Sequence, residues 1–550
     1  MTRARNYLLL MGLCLVMFLP GLTTLPPLDR DEPRFAQASH QMLESGDLVN
    51  IRFQNEERLK KPVGIYWLQA ASAALFSRAG AHAIWPYRLP SLAGATVAVL
   101  LTAAIGAELF GTAVGWAAAV MLAASILLGV EARLAKTDAV QLAAITAAQL
   151  ALARAYLAEK RAAPCGRGTA LVFWLGVGVG VLIKGPIVVM VSGSTAVGLG
   201  LLERRWRWLL ALRPWPYALL ALLLVLPWGI AIMLATKGAF LAESVGHDFI
   251  AKVAGAQESH GAPPGFYLVT FWATFWPFSL LAGLAVPWVW RHRNDHAVRF
   301  CLAWIVPSWL VFELVPTKLP HYTLPLFPAV ACLAARAALE PWLPSPSRRG
   351  RIFTTALVVL WLASTVTICA ALPLLPAVLE RRLDVTAFVL AALALALALA
   401  ALKLYRTGRK TPALVSMIAA CVLVYGTSYD RVMPQLDRLW ISSRVAAAVA
   451  KAKPCARTLV TSAGFSEPSL VFLLGAGTRF GDGKAAADAL LGDSCAMALV
   501  DAPDLPAFTA RLERAGKTAK RVAQVDGINL ARGRAVELTL FGPAEPAGHS

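Results

Sequence analysis

The chain has 550 residues, of which 58% are hydrophobic and only 15% are charged. Soluble domains carry about a quarter charged residues, so this composition excludes an ordinary soluble protein and predicts a multi-spanning membrane protein. The net charge of +20 does not indicate nucleic-acid binding, because the basic residues cluster in short loops between apolar runs, as the positive-inside rule requires of cytoplasmic loops.

Apolar runs of sufficient length predict about thirteen transmembrane helices in an α-helical multi-spanning membrane protein. The predicted spans cover residues 7–25, 84–108, 112–130, 138–156, 169–183, 186–202, 214–235, 266–290, 300–315, 322–339, 352–375, 385–402 and 411–425. With the N-terminus in the cytoplasm, this count puts every basic cluster on the cytoplasmic side and the C-terminal tail on the opposite, outer side. The first run follows a basic segment, as in a signal peptide, but no small-residue cleavage site follows it, so we expect a retained first span.

The outer loops hold most of the acidic residues and the unusual histidines of the membrane part, so we expect the chemistry on this side. The loops that matter most cover residues 28–83, 237–265 and 316–321. In the first loop, residues 32–46 have helical spacing. Their apolar face is formed by Phe35, Ala38, Met42 and Leu43. Residues 63–76 predict a second helix, which is too short to span a bilayer and fits an interfacial helix.

Asp31 and Glu32 follow directly on the first predicted span, with Arg34 close behind. Charge this near to the hydrocarbon is costly and therefore indicates a functional site. We take Asp31 and Glu32 as candidate catalytic residues. The alternative is that Asp31 only caps the helix that begins near Pro33.

Three further clusters of polar residues are predicted on the same side, at residues 58–62, 131–138 and 316–322. Their members are Arg58, Lys60 and Lys61, then Glu131, Arg133, Lys136 and Asp138, and finally Lys318, His321 and Tyr322. Each cluster also has a plainer explanation. Residues 58–62 can anchor lipid head groups, residues 131–138 can form local ion pairs at the membrane rim, and residues 316–322 can be a solvated turn held by two prolines. Together they place cations suited to a phosphate group beside carboxylates suited to a hydroxyl, an ammonium group or a divalent metal.

The predicted spans themselves contain almost no charge. Transporters usually bring ionisable groups to the middle of the membrane, often on broken helices. In this chain the only break of that kind, at Lys184-Gly185-Pro186, falls at a predicted outer turn. The pattern therefore favours an enzyme that works at the membrane surface, and a lipid or solute transporter is the remote alternative.

The outer loop at residues 237–265 contains a possible metal site. Glu243 and His247 are four residues apart, which puts them on one face of a helix, and His260 completes a ligand set. The alternative is a solvated lid that binds no metal. We therefore assign no cofactor, and keep a divalent ion such as zinc or magnesium as an open possibility.

The composition changes near residue 430, which predicts a membrane domain at residues 1–430 and a small outer α/β domain at residues 431–550. The tail alternates predicted strands at 458–461, 470–474, 497–500, 521–525 and 536–540 with predicted helices at 442–453, 485–491 and 506–515. It has no phosphate-binding loop and no nucleophile elbow, so we predict an accessory role. Cys455 and Cys495 are its two cysteines and can pair if the tail lies outside the cytoplasm.

Several short motifs, in this order, resemble the 4-amino-4-deoxy-L-arabinose lipid A transferase family, within the GT-C class of polyprenyl-phosphate-sugar glycosyltransferases. They are Asp31-Glu-Pro-Arg-Phe-Ala, Met42-Leu-Glu-Ser-Gly-Asp47, Lys61-Pro62 with Tyr66-Trp67, Leu182-Ile-Lys184-Gly-Pro186 and Lys318-Leu-Pro-His-Tyr322. Protein O-mannosyltransferases share the acidic pair of the first loop. Other members of the family often have Glu-Thr-Arg where this chain has Glu-Pro-Arg.

The resemblance implies transfer of the amino sugar from undecaprenyl phosphate to a lipid A phosphate, which lowers the negative charge of lipopolysaccharide and confers resistance to cationic peptides. It implies a monomer among the phospholipids of a Gram-negative inner membrane, with the active site and C-terminus in the periplasm. It maps the family's functional residues onto Asp31, Lys61 and Asp138. The alternative is a transferase that uses the same type of donor on a protein or another glycan.

The chemistry of this reaction assigns roles to the candidate residues. Cations stabilise the charge that undecaprenyl phosphate gains as it leaves, and we expect Lys61 to do this with Arg58, Arg34 or Lys318. Tyr322 and His321 can donate further hydrogen bonds. A lipid A phosphate monoester is already anionic at neutral pH and needs no general base, so Asp31 is expected to position the sugar. We expect a single inverting step.

Overall fold

The computed structural model describes residues 3–77, 82–244, 261–340 and 347–546 of the chain. The first part is a bundle of helices, and the second is a small domain built on a mixed β-sheet. The helices of the first part are Arg3–Phe18, Asp31–Ser45, Gly64–Phe76, Trp85–Phe110, Thr112–Ala123, Ile126–Glu131, Asp138–Lys160, Arg167–Lys184, Ile187–Glu203, Pro214–Ala235, Ala239–Leu241, Phe266–Thr274, Ser279–Arg291, His296–Leu314, Phe327–Leu339, Arg348–Leu379, Val385–Arg406 and Lys410–Gly426. This arrangement confirms the predicted fold class.

Within the described residues, nine helices are long and apolar enough to cross a membrane, and three shorter apolar helices accompany them. Every predicted span contains helix, but the segment predicted at 266–290 is divided into two helices around Pro277. Proline lacks the backbone N–H that a continuous helix needs. The multi-spanning character is confirmed, whereas the count of thirteen stays a prediction.

Close helix contacts in the bundle depend on small residues, as is usual in membrane proteins. A Cβ atom on Gly94 would lie 2.7 Å from the Cα of Val140, and one on Gly106 would lie 2.5 Å from the Cα of Gly115. The helix Trp85–Phe110 therefore touches the backbone of two neighbours. One of them is the helix Asp138–Lys160, so this contact fixes the position at which Asp138 emerges.

The two helices of the first outer loop agree with the sequence prediction. In Asp31–Ser45 the residues Phe35, Ala38 and Met42 are buried as expected, but Leu43 is exposed, so its assignment to the apolar face was wrong. The helix Gly64–Phe76 buries Ile65 and Tyr66 and exposes apolar side chains on its other side. That exposure fits a helix lying in the membrane interface.

The C-terminal domain contains a five-stranded sheet, whose strands lie side by side in the order Arg479–Gly481, Leu459–Ala463, Ala496–Asp501, Arg534–Pro546 and Lys517–Asn529. The strands are β3 Leu459–Ala463, β4 Arg479–Gly481, β5 Ala496–Asp501, β6 Lys517–Asn529 and β7 Arg534–Pro546, and a separate two-stranded hairpin, β1 Arg52–Phe53 and β2 Glu56–Glu57, lies in the first outer loop. Strands β4 and β5 run parallel to β3, while β7 is antiparallel to both β5 and β6. The accompanying helices are Ile441–Ala452, Pro468–Leu474, Gly483–Gly492 and Leu505–Arg514.

Two predictions for the tail were wrong. Residues 470–474 were predicted as a strand and lie in the helix Pro468–Leu474, because so short an apolar run does not distinguish a strand from a buried helix. The edge strand β4, Arg479–Gly481, lies where no strand was predicted. Cys455 and Cys495 form a disulfide in the structure, with their Cα atoms 5.5 Å apart.

The C-terminal domain packs on the first outer loop through the helix Pro468–Leu474. The ring of Phe472 meets that of Tyr87 edge-on, with centroids 5.7 Å apart. The backbone N–H of Ser469 donates to Asp29 at 3.3 Å. We call the end of the bundle that carries this domain and the first loop the outer face.

The contact between Asp29 and Ser469 is expected to depend on pH. Burial raises the pKa of Asp29 to about 7, and nearby Glu467 adds to this rise, although the hydrogen bond from Ser469 opposes it. A carboxyl group whose pKa is higher in the folded state contributes stability that is present at acid pH and is lost as the pH rises through that pKa. Relative to Asp29→Asn, the wild type should therefore lose stability from about pH 4 up to pH 7.

Melting temperatures at pH 5 and pH 8 test this expectation. The Asp29→Asn variant should melt higher, relative to the wild type, at pH 8 than at pH 5. Glu513→Gln, an exposed change in the C-terminal domain, should shift both temperatures equally. An Asp29→Asn variant that tracks the wild type at both pH values would contradict the prediction.

Candidate functional site

The helix that carries Asp31 is fixed by a buried ion pair. Arg88 donates from Nε to Glu32 Oε1 at 2.8 Å and from Nη2 to Glu32 Oε2 at 3.0 Å. Both side chains are 1% exposed. Breaking such a pair leaves an uncompensated buried charge, so the contact is a strong constraint on the loop.

Every polar atom of this pair is used for structure. Glu32 also accepts hydrogen bonds from the backbone N–H groups of Leu28 and Ala135, at 2.8 and 2.9 Å. The guanidinium of Arg88 also donates to backbone carbonyls, which belong to Leu22, Leu25 and Pro26. Glu32, a predicted catalytic residue, thus joins the first loop, the following membrane helix and the loop at 132–137. This geometry favours a structural role for Glu32.

Asp31 stands at the first position of the helix and, unlike Glu32, has an exposed side chain. Crowding by neighbouring atoms opposes its ionisation, but the positive charges of Lys136, Arg58 and Arg34 outweigh that effect and lower its pKa. Asp31 is therefore a carboxylate at neutral pH. An exposed carboxylate among cations can accept hydrogen bonds from a hydroxyl or pair with an ammonium group.

Behind Asp31 lies a buried network of acids and bases. Asp138 pairs with Lys184, and Lys136 Nζ lies 3.0 Å from Glu131 Oε1. The imidazole of His321 lies between the two pairs. Its Nδ1 is 3.8 Å from the Glu131 carboxylate and its Nε2 is 3.8 Å from that of Asp138. Three segments distant in sequence, at residues 131–138, 184 and 321, therefore meet at one point under the outer face.

Arg133 does not belong to this network. Its guanidinium donates to the backbone carbonyl of Pro20 at 2.6 Å and also to the carbonyls of Gly129 and Met17. It stacks 4.1 Å from the ring centroid of Tyr429. The plainer explanation for Asp138 was a local ion pair with Arg133 or Lys136. In the structure Asp138 instead pairs with Lys184, from the next membrane helix.

The predicted cations occupy different environments. Arg58 donates from Nε to the hydroxyl of Tyr66 at 3.1 Å and lies 5.1 Å from the ring centroid of Phe35. Lys318 is buried, and its ammonium donates to the carbonyl of Val315 at 2.8 Å. Lys318 is therefore committed to its own turn, whereas Arg58 lies beside the helix of Asp31.

Tyr322 lies near Lys184, and Lys61 precedes a helix that packs against the helix ending at Lys184. Half-buried Lys61 precedes the helix Gly64–Phe76, and a Cβ on Gly64 would lie 2.8 Å from the carbonyl oxygen of Leu182. The end of the helix that carries Lys184 thus abuts the start of the helix that follows Lys61. Lys184 Nζ also lies 5.8 Å from the ring centroid of Tyr322.

The proposed metal ligands are only partly described by the structure. Glu243 lies beside the outer cavity discussed below, while His247 and His260 lie outside the described residues. Across residues 3–77, 82–244, 261–340 and 347–546, no group of three His, Cys, Asp or Glu side chains is arranged to hold a metal. The metal site therefore stays a prediction.

Sequence reasoning missed two residues that organise the site. Arg88 is a lone arginine within an apolar span, and such a charge is a known signal of a structural or functional site. Lys184 was named only within a turn and a family motif, with no role of its own, although it directly precedes a Gly-Pro pair at the end of a span. Their partners, Glu32 and Asp138, were both singled out, but pairing across elements needs the three-dimensional structure.

The helical bundle with its small mixed-sheet domain has the GT-C type of fold. The crystal structure of ArnT from Cupriavidus metallidurans bound to undecaprenyl phosphate superposes with a TM-score of 0.75 at 17% identity, covering 98% of each chain. The apo form of the same protein gives a TM-score of 0.74. At this identity the likeness establishes the shared fold.

Comparison of the amino-acid sequence shows which named proteins the chain is similar to. The chain is 30% identical over 336 residues to the undecaprenyl phosphate-alpha-4-amino-4-deoxy-L-arabinose arabinosyl transferase of Pseudomonas paraeruginosa, covering 60% of this chain and 59% of that one. The transferase of the same name from an Enterobacter species is 27% identical, with 61% and 59% covered. Residues 60–230 match the dolichyl-phosphate-mannose-protein mannosyltransferase family. The resemblance to the aminoarabinose transferase family is confirmed, over a match that spans about three fifths of these relatives.

Proposed function

We propose that this chain is an integral membrane glycosyltransferase that moves 4-amino-4-deoxy-L-arabinose from undecaprenyl phosphate to a lipid A phosphate. The observation that carries the proposal is the outer-face cluster, in which the exposed carboxylate of Asp31 is surrounded by Arg34, Arg58 and Lys136. It is supported by relatives named for the same donor and by a neighbour of the same fold bound to undecaprenyl phosphate.

In the proposed reaction, a phosphate oxygen of the acceptor attacks the anomeric carbon of the sugar. The bond between that carbon and the donor phosphate breaks, and its electron pair leaves with undecaprenyl phosphate. The acceptor changes from a monoester to a diester and the donor from a diester to a monoester, so no net proton transfer is required. One displacement inverts the anomeric centre.

The cations of the site stabilise the leaving group, which gains one negative charge as the bond breaks. Lys61 is proposed to contact the donor phosphate, with Arg58 and Arg34 in support. Lys318 is assigned no direct part, because its ammonium group bonds within its own turn. His321 and Tyr322 lie beside Lys184 and Asp138 and complete the wall of the site.

The carboxylates are proposed to position the sugar. Asp31 is ionised and exposed, so it can pair with the ammonium group of the donor sugar. Asp138 is buried against Lys184 and fixes the position of that lysine. A general base is not needed, because the acceptor phosphate is already anionic at neutral pH.

A protein or glycan transferase that uses the same kind of donor is the second candidate. The match of residues 60–230 to the protein mannosyltransferase family favours it. For a hydroxyl acceptor, Asp31 would act as the general base. For both candidates we place the protein in a Gram-negative inner membrane, as a monomer with its outer face in the periplasm.

Mass spectrometry of lipid A from cells with and without the gene tests the proposal. We expect a phosphate-linked mass of the amino sugar that disappears on deletion and is not restored by Lys61→Ala. Restoration by Lys517→Ala, a lysine change in strand β6 of the C-terminal domain, is the control. Unchanged lipid A with an altered mass on a protein or glycan would support the second candidate instead.

A further inference from the structure

A large polar cavity opens between the first outer loop and the C-terminal domain. Its volume is about 1400 Å³. Four cations line it: Arg34, Arg58 and Lys60 from the first loop, and Arg479 from the C-terminal domain. All of its walls belong to outer loops and to that domain, and none to a predicted span. It therefore suits a polar group that projects out of the membrane.

The cavity also contains carboxylates. Glu56 and Glu57 lie on the hairpin of the first loop, and Glu243 lies on the opposite wall. Carboxylates accept hydrogen bonds from hydroxyl groups, and arginines bind phosphate with paired donors. This mixture matches a phosphorylated sugar, which presents both kinds of group.

Hydrogen bonds hold the two walls together. The amide of Gln54 donates to the carbonyl of Ala476 at 3.2 Å, three residues before Arg479. Gln54 is itself fixed by Gln41 on the helix of Asp31, through contacts of 2.8 and 2.9 Å. Arg479, on the exposed edge strand β4, is thus held at a set position over the first loop.

The cavity and the cluster around Asp31 share two residues. Arg34 and Arg58 line the cavity and also lower the pKa of Asp31. A head group in the cavity therefore lies against two of the cations that act on the carboxylate proposed to hold the donor sugar. Arg479 and Lys60 line the cavity but are not among the cations that act on Asp31.

We propose that this cavity binds the phosphorylated sugar head group of the acceptor lipid, and that Arg479 of the C-terminal domain, with Lys60, contacts its phosphate. This inference rests on the proposed function and makes the C-terminal domain part of the acceptor site rather than an accessory. The donor carrier, with its single phosphate at the membrane surface, engages the residues around Lys61 instead.

Binding measurements on the full-length protein in detergent test the inference. The probes are lipid A, dephosphorylated lipid A and undecaprenyl phosphate. Arg479→Ala should weaken lipid A binding by about fivefold or more and leave undecaprenyl phosphate binding unchanged, because it removes one charge-assisted contact to the acceptor alone. The control is Arg521→Ala, an exposed arginine on β6 at the opposite edge of the same sheet.

In transfer assays the same variant should raise the KM for lipid A with kcat nearly unchanged. Equal binding of lipid A by the wild type and Arg479→Ala would overturn the inference, as would a loss confined to undecaprenyl phosphate. A wild type that binds phosphorylated lipid A through Arg479 but transfers no aminoarabinose would support the inference while refuting the proposed function.

Discussion

Replacing Asp31 with asparagine should lower the rate of sugar transfer by about 10²-fold or more, since a misplaced reactant costs that much even when binding persists. The change keeps the size and polarity of the side chain and removes only its charge. Because the pKa of Asp31 is lowered by Lys136, Arg58 and Arg34, the wild type should keep this carboxylate ionised throughout the neutral range. The loss should therefore be the same at pH 6 and pH 8.

Steady-state transfer to lipid A with purified protein measures this effect. Asp488→Asn, an exposed change in the C-terminal domain, is the matched control and should leave the rate unchanged. Thermal unfolding of Asp31→Asn should resemble that of the wild type, because Asp31 is exposed. Full activity of the variant would remove Asp31 from the site, and a rise in its effect with pH would indicate a general base instead.

Replacing Arg88 with methionine should have the largest effect on stability. It leaves the carboxylate of Glu32 buried without its partner, which costs roughly 3–5 kcal/mol. The double variant Glu32→Gln with Arg88→Met removes both charges and should recover part of the loss. Arg154→Met breaks a more exposed pair with Glu108 and should cost at most about 1 kcal/mol.

Thermal unfolding in detergent, followed by tryptophan fluorescence, compares the four proteins. The expected order of stability is wild type, Arg154→Met, the double variant and then Arg88→Met. If Arg88→Met were no less stable than Arg154→Met, the buried pair would not be what holds the first loop.

Much of the fold follows from the sequence because bilayer-length apolar runs and basic loops are strong signals. The predicted span at residues 214–235 coincides with the helix Pro214–Ala235, and the helices of the first outer loop begin within one residue of prediction. The failures have a common cause. The helix at residues 470–474 and the break of the predicted span 266–290 near Pro277 were not predicted. Both depend on packing and local geometry, which the pattern of apolar residues does not encode.

The candidate site was predictable in its members but not in its contacts. The sequence singles out Asp31, Glu32 and Asp138 as unusual charges, yet it assigns the same role to the first two. Their roles separate only when Arg88 is placed against Glu32, since adjacent residues on a helix point in different directions. Likewise Lys318 looks like an outer cation until its bond to Val315 is seen.

The contacts of Arg133 constrain how the chain is assembled during synthesis. The end of the first helix and the turn after it are held by Arg133, and the backbone N–H of Gly21 donates to Asp430 at 2.7 Å. Tyr429 covers the same guanidinium. The turn after the helix Arg3–Phe18 thus obtains these partners only after residue 430 has been made. A nascent chain released before that point lacks the contacts of Tyr429 and Asp430 with this part of the bundle.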